Sequence, residues 1–367
     1  MEAAYVLFMS HDYIIDCVNH QGFGEVRLSH EKYLVPYVLP KEKVRVQPIG
    51  KKRGWHTCNL VSVLESSPKR VKPHCPYFGV CGGCQLQHID YDEQLKLKRA
   101  WFGEELKRDE LFKDVLLNEI VPSKEQYGYR NRITLHKKGT KIGYYQNATH
   151  DIVPIAECAL ASSLINKKLK EALNDADAYE EIFELREDEN SCFIQVNKYQ
   201  NENLMQVVRQ LCESKTWSQA LDLYCGVGNF TTVLSEKAKK VLGVDNSEEA
   251  IQMARKTAKD EKNKKVRYLC SDVLDQVFSL AQDYKYFDLV LCDPPRGGLG
   301  DVFSYLPRLK PQKLIYISCQ PQTFLKDAKK LNSLGFHLKE VTPIDMFPQT
   351  VHLEVVGVFE CESKSLS

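Results

Sequence analysis

Three segments in the C-terminal half place a nucleophile and two carboxylates at the ends of apolar runs. Cys319 follows the run KLIYIS (313–318) and precedes Gln320-Pro321, Asp293 follows DLVLC (288–292), and Glu354 closes His352-Leu353-Glu354 after Phe347-Pro348. A thiolate can add to an electron-poor carbon, and a carboxylate can take up the proton that such an addition leaves to be removed, which is covalent nucleophilic catalysis with a general base. A cysteine in an apolar run is more often inert packing, and that reading stays open for Cys225, Cys270 and Cys292. Cys319 differs because a proline-started helix follows it, and the positive end of that helix is expected to favour a thiolate.

A second constellation reads as a cofactor site. The run Leu221-Asp222-Leu223-Tyr224-Cys225-Gly226-Val227-Gly228-Asn229-Phe230 is a strand feeding a glycine-containing turn and a helix, and Gly226 and Gly228 let backbone approach a ligand closely. A dinucleotide fingerprint wants a third glycine near position 231, where Thr231 stands, so a nucleoside without a pyrophosphate fits better. The strand VLGVD ends in Asp245, a carboxylate placed for ribose hydroxyls, and VRYLC leads to Ser271-Asp272, a place for a group that bonds an adenine amino group. Together these strand ends carry the pattern of class I methyltransferases.

A third constellation is built of thiols. The chain has 13 cysteines, an odd number that suits reduced thiols better than a disulfide framework. Cys75, Cys81 and Cys84 are clustered, with Gly82-Gly83 between the last two, and Cys158 lies far downstream. Zinc more often uses two C-x-x-C pairs, so three plus one suits an iron-sulfur cluster, with zinc as the alternative.

These residues need elements to hold them. From Tyr5 to Leu64, short runs such as YIIDCV, YLVPYVL and KVRVQPI predict a small β-barrel, and Lys41–Lys72 carries nine basic residues against Glu42 and Glu65, a candidate phosphate-tracking edge. Pro68, Pro73 and Pro76 mark a boundary near residue 70. A helix is expected over Asp92–Leu106, then a middle α+β domain with strands ITLHKK, KIGYYQ and CFIQVN, a helix over Ala161–Ala172, and a solvated acidic connection over Glu180–Glu189. From Leu204 the strands ALDLY, KVLGVD, VRYLC, DLVLCD, KLIYIS and EVVGVFE alternate with helices such as Ser247–Lys259 and Pro321–Leu334, which predicts a doubly wound α/β sheet with ligands at its strand ends. The expected domains are residues 1–70, 71–200 and 201–367.

The motifs DLYCGVGNF, CDPPRGG, YISCQPQTF and DMFPQTVHLE resemble those of the RNA uracil-5 methyltransferases, and the resemblance spans nearly the whole chain. It implies a class I (Rossmann-like) methyltransferase domain behind an OB-like barrel of the TRAM type and a middle iron-sulfur domain. It implies S-adenosylmethionine as cofactor, held by Gln195, Tyr224, Gly226, Asn229, Asp245, Asp272 and Asp293, with Asp293 also touching the uracil. It implies Cys319 as the nucleophile that attacks carbon 6 and Glu354 as the acceptor of the carbon 5 proton. The context CGGCQLQH implies a four-iron four-sulfur cluster on Cys75, Cys81, Cys84 and Cys158. Cluster and barrel together lean toward 23S rRNA as substrate, with tRNA as the alternative. Arg130 and Arg132, in YGYRNR, are candidates for RNA contact, where a flipped uridine leaves a gap that stacked side chains fill.

Bulk composition bears little on the partner. The net charge of +1 means that RNA must be held by local patches. The first residues, MEAAYVLFMSHDYIIDC, show neither a basic n-region nor a long apolar run, so a cytoplasmic monomer without a membrane partner is expected. An amino-group methylase would use Asp293-Pro294-Pro295, but Arg296 stands where an aromatic residue is wanted, and Cys319 and Glu354 would be idle. A cytosine-5 methylase wants its cysteine after proline or threonine, whereas Ser318 precedes Cys319. A non-catalytic RNA-binding or assembly factor would have no use for an intact Cys319 and Glu354.

Overall fold

The computed structural model describes residues 10–147, 149–188 and 195–361. The chain forms two compact units: one takes the chain as far as Trp101, Glu125–Glu187 and Phe347–Val351, the other Phe102–Lys124, the stretch from Asp188 to Met346, and the chain from His352 onward.

In the first unit, strands His11–Ile14, Cys17–Val18, Phe23–Arg27, Lys32–Pro36, Lys43–Lys52 and Trp55–Glu65 form one six-stranded sheet. Period-2 alternation in Lys43–Lys52 turns Val44, Val46 and Pro48 inward, where the valines meet Val26, Val35 and Cys58 in a core. Three register shifts between the two long strands bend the sheet. Arg53 and Gly54 join those strands at φ 49° and 84°, the two positive angles of a type I′ hairpin turn. The basic stretch is less free than its composition suggests. Arg70 bonds the fully buried Glu42, Arg45 pairs with Asp12, Lys43 with Glu65 and Lys69 with Asp90. Lys51, Lys52 and Arg53 stay exposed at the hairpin tip.

The same unit holds a four-stranded sheet ordered Ile152–Pro154, Lys141–Tyr145, Arg132–Lys138, Ile182–Arg186. Helix Ser163–Asn174, capped by the Ser162 hydroxyl on Ile165 N, buries Ile165 and Leu169 with Ile133, Leu135 and Leu185. The expected solvated connection over Glu180–Glu189 is corrected here: Ile182–Arg186 is a strand paired with Arg132–His136, and Leu185 is buried by it while its acidic neighbour Glu184 faces solvent. Of the expected strand CFIQVN, Cys192–Ile194 lie outside the described residues.

The second unit is built on eight strands: β1 (Leu116–Leu117), β2 (Trp217–Leu223), β3 (Ala238–Asp245), β4 (Val266–Cys270), β5 (Leu289–Cys292), β6 (Lys313–Ser318), β7 (Phe336–Ile344) and β8 (Glu354–Cys361). Their order is β4-β3-β2-β5-β6-β8-β7-β1, parallel from β4 to β6, with β8 antiparallel between β6 and β7. Helices α1 (Lys198–Cys212), α2 (Asn229–Lys237), α3 (Glu248–Asp260), α4 (Val273–Gln282) and α5 (Pro321–Ser333) accompany it. β2, β5 and β6 read as continuous apolar runs because both faces of a parallel sheet are covered. Leu221, Leu223, Val290, Leu314, Phe324 and Phe359 share its core, each burial contributing about 1.5–3 kcal/mol. This is the doubly wound α/β sheet the sequence predicts, with strand β7 added. Among the described residues no helix is long and apolar enough to cross a membrane.

Candidate active site

Strand register brings four of the expected residues to one edge of the large sheet. Leu223 pairs with Cys292, Cys292 with Tyr316, and Ser318 with Val355, so Tyr224, Asp293, Cys319 and Glu354 stand at the ends of the successive neighbours β2, β5, β6 and β8. The Glu354 and Asp293 carboxyls are near enough for their charges to act on the Cys319 thiol. Among the cysteines read as packing, Cys225 and Cys292 are indeed buried, and Cys270 is partly buried. Cys75, Cys81, Cys84, Cys158 and Cys319 are free thiols.

The turn after β2 has an unusual backbone. Tyr224, Gly226 and Gly228 all have positive φ, at 64°, 53° and 89°. For Tyr224 this costs on the order of 1–3 kcal/mol, which the surrounding structure must hold in place. A side chain on Gly228 would meet the Tyr268 hydroxyl at 2.5 Å, so a glycine is required there. The Asp245 carboxylate accepts from Gly226 N through Oδ2 and from Ser247 N through Oδ1, both at 2.9 Å, which fixes it beside that turn. Asp272 caps α4 through Oδ1, accepting from Leu274 N and Asp275 N, while Oδ2 takes neither bond. Gln195 Nε2 donates to Asp293 Oδ2 at 3.3 Å. Asn229 exchanges two amide bonds with Asn201 of α1, at 2.8 and 3.0 Å.

One residue escaped the sequence reading. Asp222, a carboxylate inside the apolar run of β2, is fully buried; Thr231 Oγ1 donates to its Oδ2 at 2.5 Å, and its Oδ1 has no hydrogen-bond partner. Burial, opposed by the Thr231 bond and reinforced by Asp293 and Asp245, pushes its pKa up to about 8. A carboxyl raised on folding binds its proton more tightly in the folded chain, so its stabilising effect is complete in acid and is lost as pH rises toward 8. The Asp222→Asn protein should therefore lose less stability than the parent between about pH 4 and pH 8, a difference of roughly 2–4 °C in melting temperature per kcal/mol removed. Calorimetry across that range checks it, and parallel curves would contradict it.

The helix end expected to favour a thiolate at Cys319 is set against burial of the sulfur. Burial pushes this thiol up to about 11, Glu354 and Asp293 add to the effect, and Arg296 opposes it. The positive end of α5 does not outweigh desolvation. Burial also raises Asp293, to about 7, and holds Glu354 well above the usual carboxylate range, with Asp293 reinforcing the latter.

Helix α5 also pins the loop that follows Asp293. Thr323 Oγ1 donates to Arg296 O at 3.2 Å, and the buried Asp327 Oδ2 accepts from Leu299 N and from the Tyr316 hydroxyl at 3.1 and 2.7 Å. An added Cβ on Gly298 would meet that Asp327 oxygen at 2.2 Å, so the PRGG segment must keep its glycine.

In the first unit, Cys75, Cys81, Cys84 and Cys158 line one cavity together with Arg130 and Tyr144. Burial, with neighbouring thiols adding, pushes Cys81 up to about 11 and Cys84 up to about 12. The Arg130 guanidinium lies over the Tyr129 and Phe347 rings at 6.0 and 5.9 Å, and its Nε is buried without a hydrogen-bond partner. Arg130 is thus placed among the thiols, and Arg132 opens the strand that pairs with Arg186. Among the described residues no group of three or more His, Cys, Asp or Glu is drawn together to hold a single metal ion.

Residues 179–362 match the family model described as tRNA (Uracil-5-)-methyltransferase. The tRNA (uracil(54)-C(5))-methyltransferase of Pyrococcus horikoshii is 31% identical over 94% of this chain and 98% of that protein. The chain belongs to the RNA uracil-5 methyltransferase family. It is an enzyme of that class, as the motifs around Cys319 and Glu354 implied. Relatives within the family differ in substrate: the 23S rRNA (uracil(1939)-C(5))-methyltransferase RlmD of Histophilus somni is 28% identical over 95% of each chain. The crystal structure of the Pyrococcus abyssi tRNA (uracil-54, C5)-methyltransferase in complex with S-adenosyl-L-homocysteine superimposes with a TM-score of 0.70, at 26% identity, over 95% of this chain and all of that one. A uracil-5 methyltransferase thus shares the fold along its whole length.

Proposed function

We propose that this enzyme transfers a methyl group from S-adenosylmethionine to carbon 5 of a uridine in 23S rRNA, with Cys319 as covalent nucleophile and Glu354 as base. The observation that carries the reading is the succession of Tyr224, Asp293, Cys319 and Glu354 along neighbouring strand ends. S-adenosylmethionine supplies a methyl group on a sulfonium, ready for transfer to carbon. Asp245 suits its ribose and Asp272 its adenine, and the orphaned Oδ1 of Asp222 suits a ligand that brings positive charge. A cationic ligand also lowers the raised pKa values of Asp293, Glu354 and Cys319, which favours thiolate and carboxylate once the site is filled.

Carbon 5 of uracil is a poor nucleophile. Addition of the Cys319 sulfur to carbon 6 turns the ring into an enolate whose carbon 5 carries the electron pair that would form the new carbon–carbon bond, while the methyl–sulfur bond of the sulfonium breaks and its electrons leave with the neutral thioether S-adenosylhomocysteine. Glu354 then accepts the carbon 5 proton, and the electrons of that C–H bond reform the ring double bond and expel the thiolate. The test is RNA carrying 5-fluorouridine, in which no proton can leave carbon 5. The wild-type protein should be held on it as an adduct that survives denaturation, and the absence of any adduct would overturn the covalent route.

The barrel-like sheet of residues 1–70 is read as a TRAM-type RNA grip, with Lys51, Lys52 and Arg53 at its exposed hairpin tip. Residues 71–200 are read as the iron-sulfur domain and 201–367 as the methyl-transfer domain. The donor chemistry suits a four-iron four-sulfur cluster: Cys75, Cys81, Cys84 and Cys158 line one cavity, and Arg130 Nε is buried there without a hydrogen-bond partner, a positive charge for an anionic group. Anaerobically prepared protein should contain iron and acid-labile sulfide, and Cys84→Ser should lose most of both, because three thiolates hold such a cluster poorly. Protein with zinc, or with neither element, would contradict the assignment. The link to 23S rRNA rather than tRNA draws on the cysteine-rich motif and the relatives that act on 23S rRNA.

A further inference from the structure

In the second unit, strand β4 is an edge of the large sheet, paired with β3 on one side and with no strand on the other. Helix α3 packs against β4, and the turn between them belongs to a segment, Arg255–Arg267, that carries seven Lys or Arg residues against Asp260 and Glu261. The chain as a whole balances 50 basic residues with 49 acidic ones, so this is a local excess. Helix, turn and strand enclose a groove of about 520 Å³ lined by Arg255, Lys259, Lys262, Lys264 and Arg267, together with Tyr268. Among the described residues no carboxylate lines it, although Asp260 and Glu261 belong to the same segment. All five cations are exposed. Arg255 reaches Glu248 at 4.0 Å and donates to Tyr268 O at 2.9 Å, whereas among the described residues Lys259, Lys262, Lys264 and Arg267 make no ion pair.

Two ordinary causes account for part of this. A cation on an edge strand keeps the strand from pairing with another chain, which covers Arg267. A lysine in the last turn of a helix complements the helix dipole, which covers Lys259. Neither cause calls for Lys262 or Lys264, nor for gathering charge of one sign around a concave space, where mutual repulsion favours an anionic ligand. Lys262 closes α3 at φ 55° in a Schellman motif, in which Asn263 N donates to Ala258 O at 2.8 Å and Lys262 N to Lys259 O at 3.0 Å. Glycine takes that left-handed place without strain, yet a cation stands there. The turn is a fixed platform, since Asn263 Nδ2 and Lys265 Nζ donate to Oγ and O of Ser235 in α2, both at 2.8 Å. We infer that this groove grips the phosphate backbone of the RNA substrate, as a contact separate from the methyl-transfer site. The five residues of β4 carry the chain roughly 16 Å from the groove toward Ser271-Asp272, so phosphates held there strengthen binding without touching the reacting ring. The inference rests on RNA as the substrate.

The test neutralises three cations of the groove together, Lys259→Gln, Lys264→Gln and Arg267→Gln. A control protein loses the same charge elsewhere in the unit, through Lys285→Gln, Lys326→Gln and Lys339→Gln, all at exposed positions. Filter binding to transcribed 23S rRNA and tRNA across about 50–300 mM KCl gives Kd and its salt dependence, and methyl transfer to the same RNAs gives kcat. The groove variant should bind RNA at least about tenfold more weakly near 150 mM salt, with a slope of log Kd against log salt shallower by about two to three. Its kcat at saturating RNA and its affinity for S-adenosylmethionine should stay within about twofold of the wild type, and the control should bind RNA within about twofold. Lys262→Gly, which suits the left-handed angle, should keep its melting temperature and still bind RNA about three- to tenfold more weakly. An unchanged affinity and salt slope in the groove variant, or an equal loss in the control, would overturn the inference. If the wild type binds RNA but methylates neither, the functional reading fails and the binding comparison still decides the groove; if it binds neither RNA, both fail.

Discussion

Cys319→Ala is expected to lose methyl transfer by at least about 10⁴-fold and to form no covalent species with RNA, while still binding the cofactor. The reason lies in the ring. Without a nucleophile on carbon 6, carbon 5 has no electron pair to offer, and no carboxylate in the site can create one by removing the carbon 5 hydrogen directly. The carboxylates proposed to face the cofactor, Asp222, Asp245 and Asp272, belong to β2 and to the ends of β3 and β4, so the substitution leaves them as they are. Cofactor affinity by calorimetry and adduct on a denaturing gel separate the two effects. Residual turnover near the wild-type rate would remove Cys319 from the mechanism.

Glu354→Gln should keep the first half of the reaction and lose the second. Turnover is expected to fall by about 10²–10⁴-fold, the usual worth of a positioned general base, while methylated RNA accumulates on the protein because the thiolate cannot leave. The carboxyl at this position is buried and raised by its surroundings, with Asp293 adding to the effect. Both it and the Cys319 thiol gain their reactive charge as pH rises, so wild-type kcat/KM should climb from acid toward alkaline pH. In the glutamine variant the limb due to the base should vanish. A variant that releases product at the wild-type rate would assign the proton to another acceptor.

Much of the large sheet was legible because its parallel strands are buried on both faces and therefore read as unbroken apolar runs. Strand β7 was not, since Lys339-Glu340 and Pro343 interrupt its apolar character, and its place depends on pairing with β8. The same dependence hid Ile182–Arg186 inside an acidic run, where the partner strand supplied what local composition did not. The cysteine and glutamate proposed as nucleophile and base stand out in the sequence at strand ends, but the burial that raises the Cys319 thiol does not. A helix end can be read from a proline, whereas desolvation depends on everything packed around the sulfur. Asp222 could have been suspected as a lone carboxylate in an apolar strand.

The most direct test is methyl transfer from radiolabelled S-adenosylmethionine to unmodified total RNA, with 23S rRNA and tRNA separated and each digested to nucleosides. Label in 5-methyluridine from 23S rRNA is the expected result. The same nucleoside from tRNA alone would contradict the rRNA assignment, and label on any other nucleoside would contradict the ring chemistry assigned to Cys319 and Glu354.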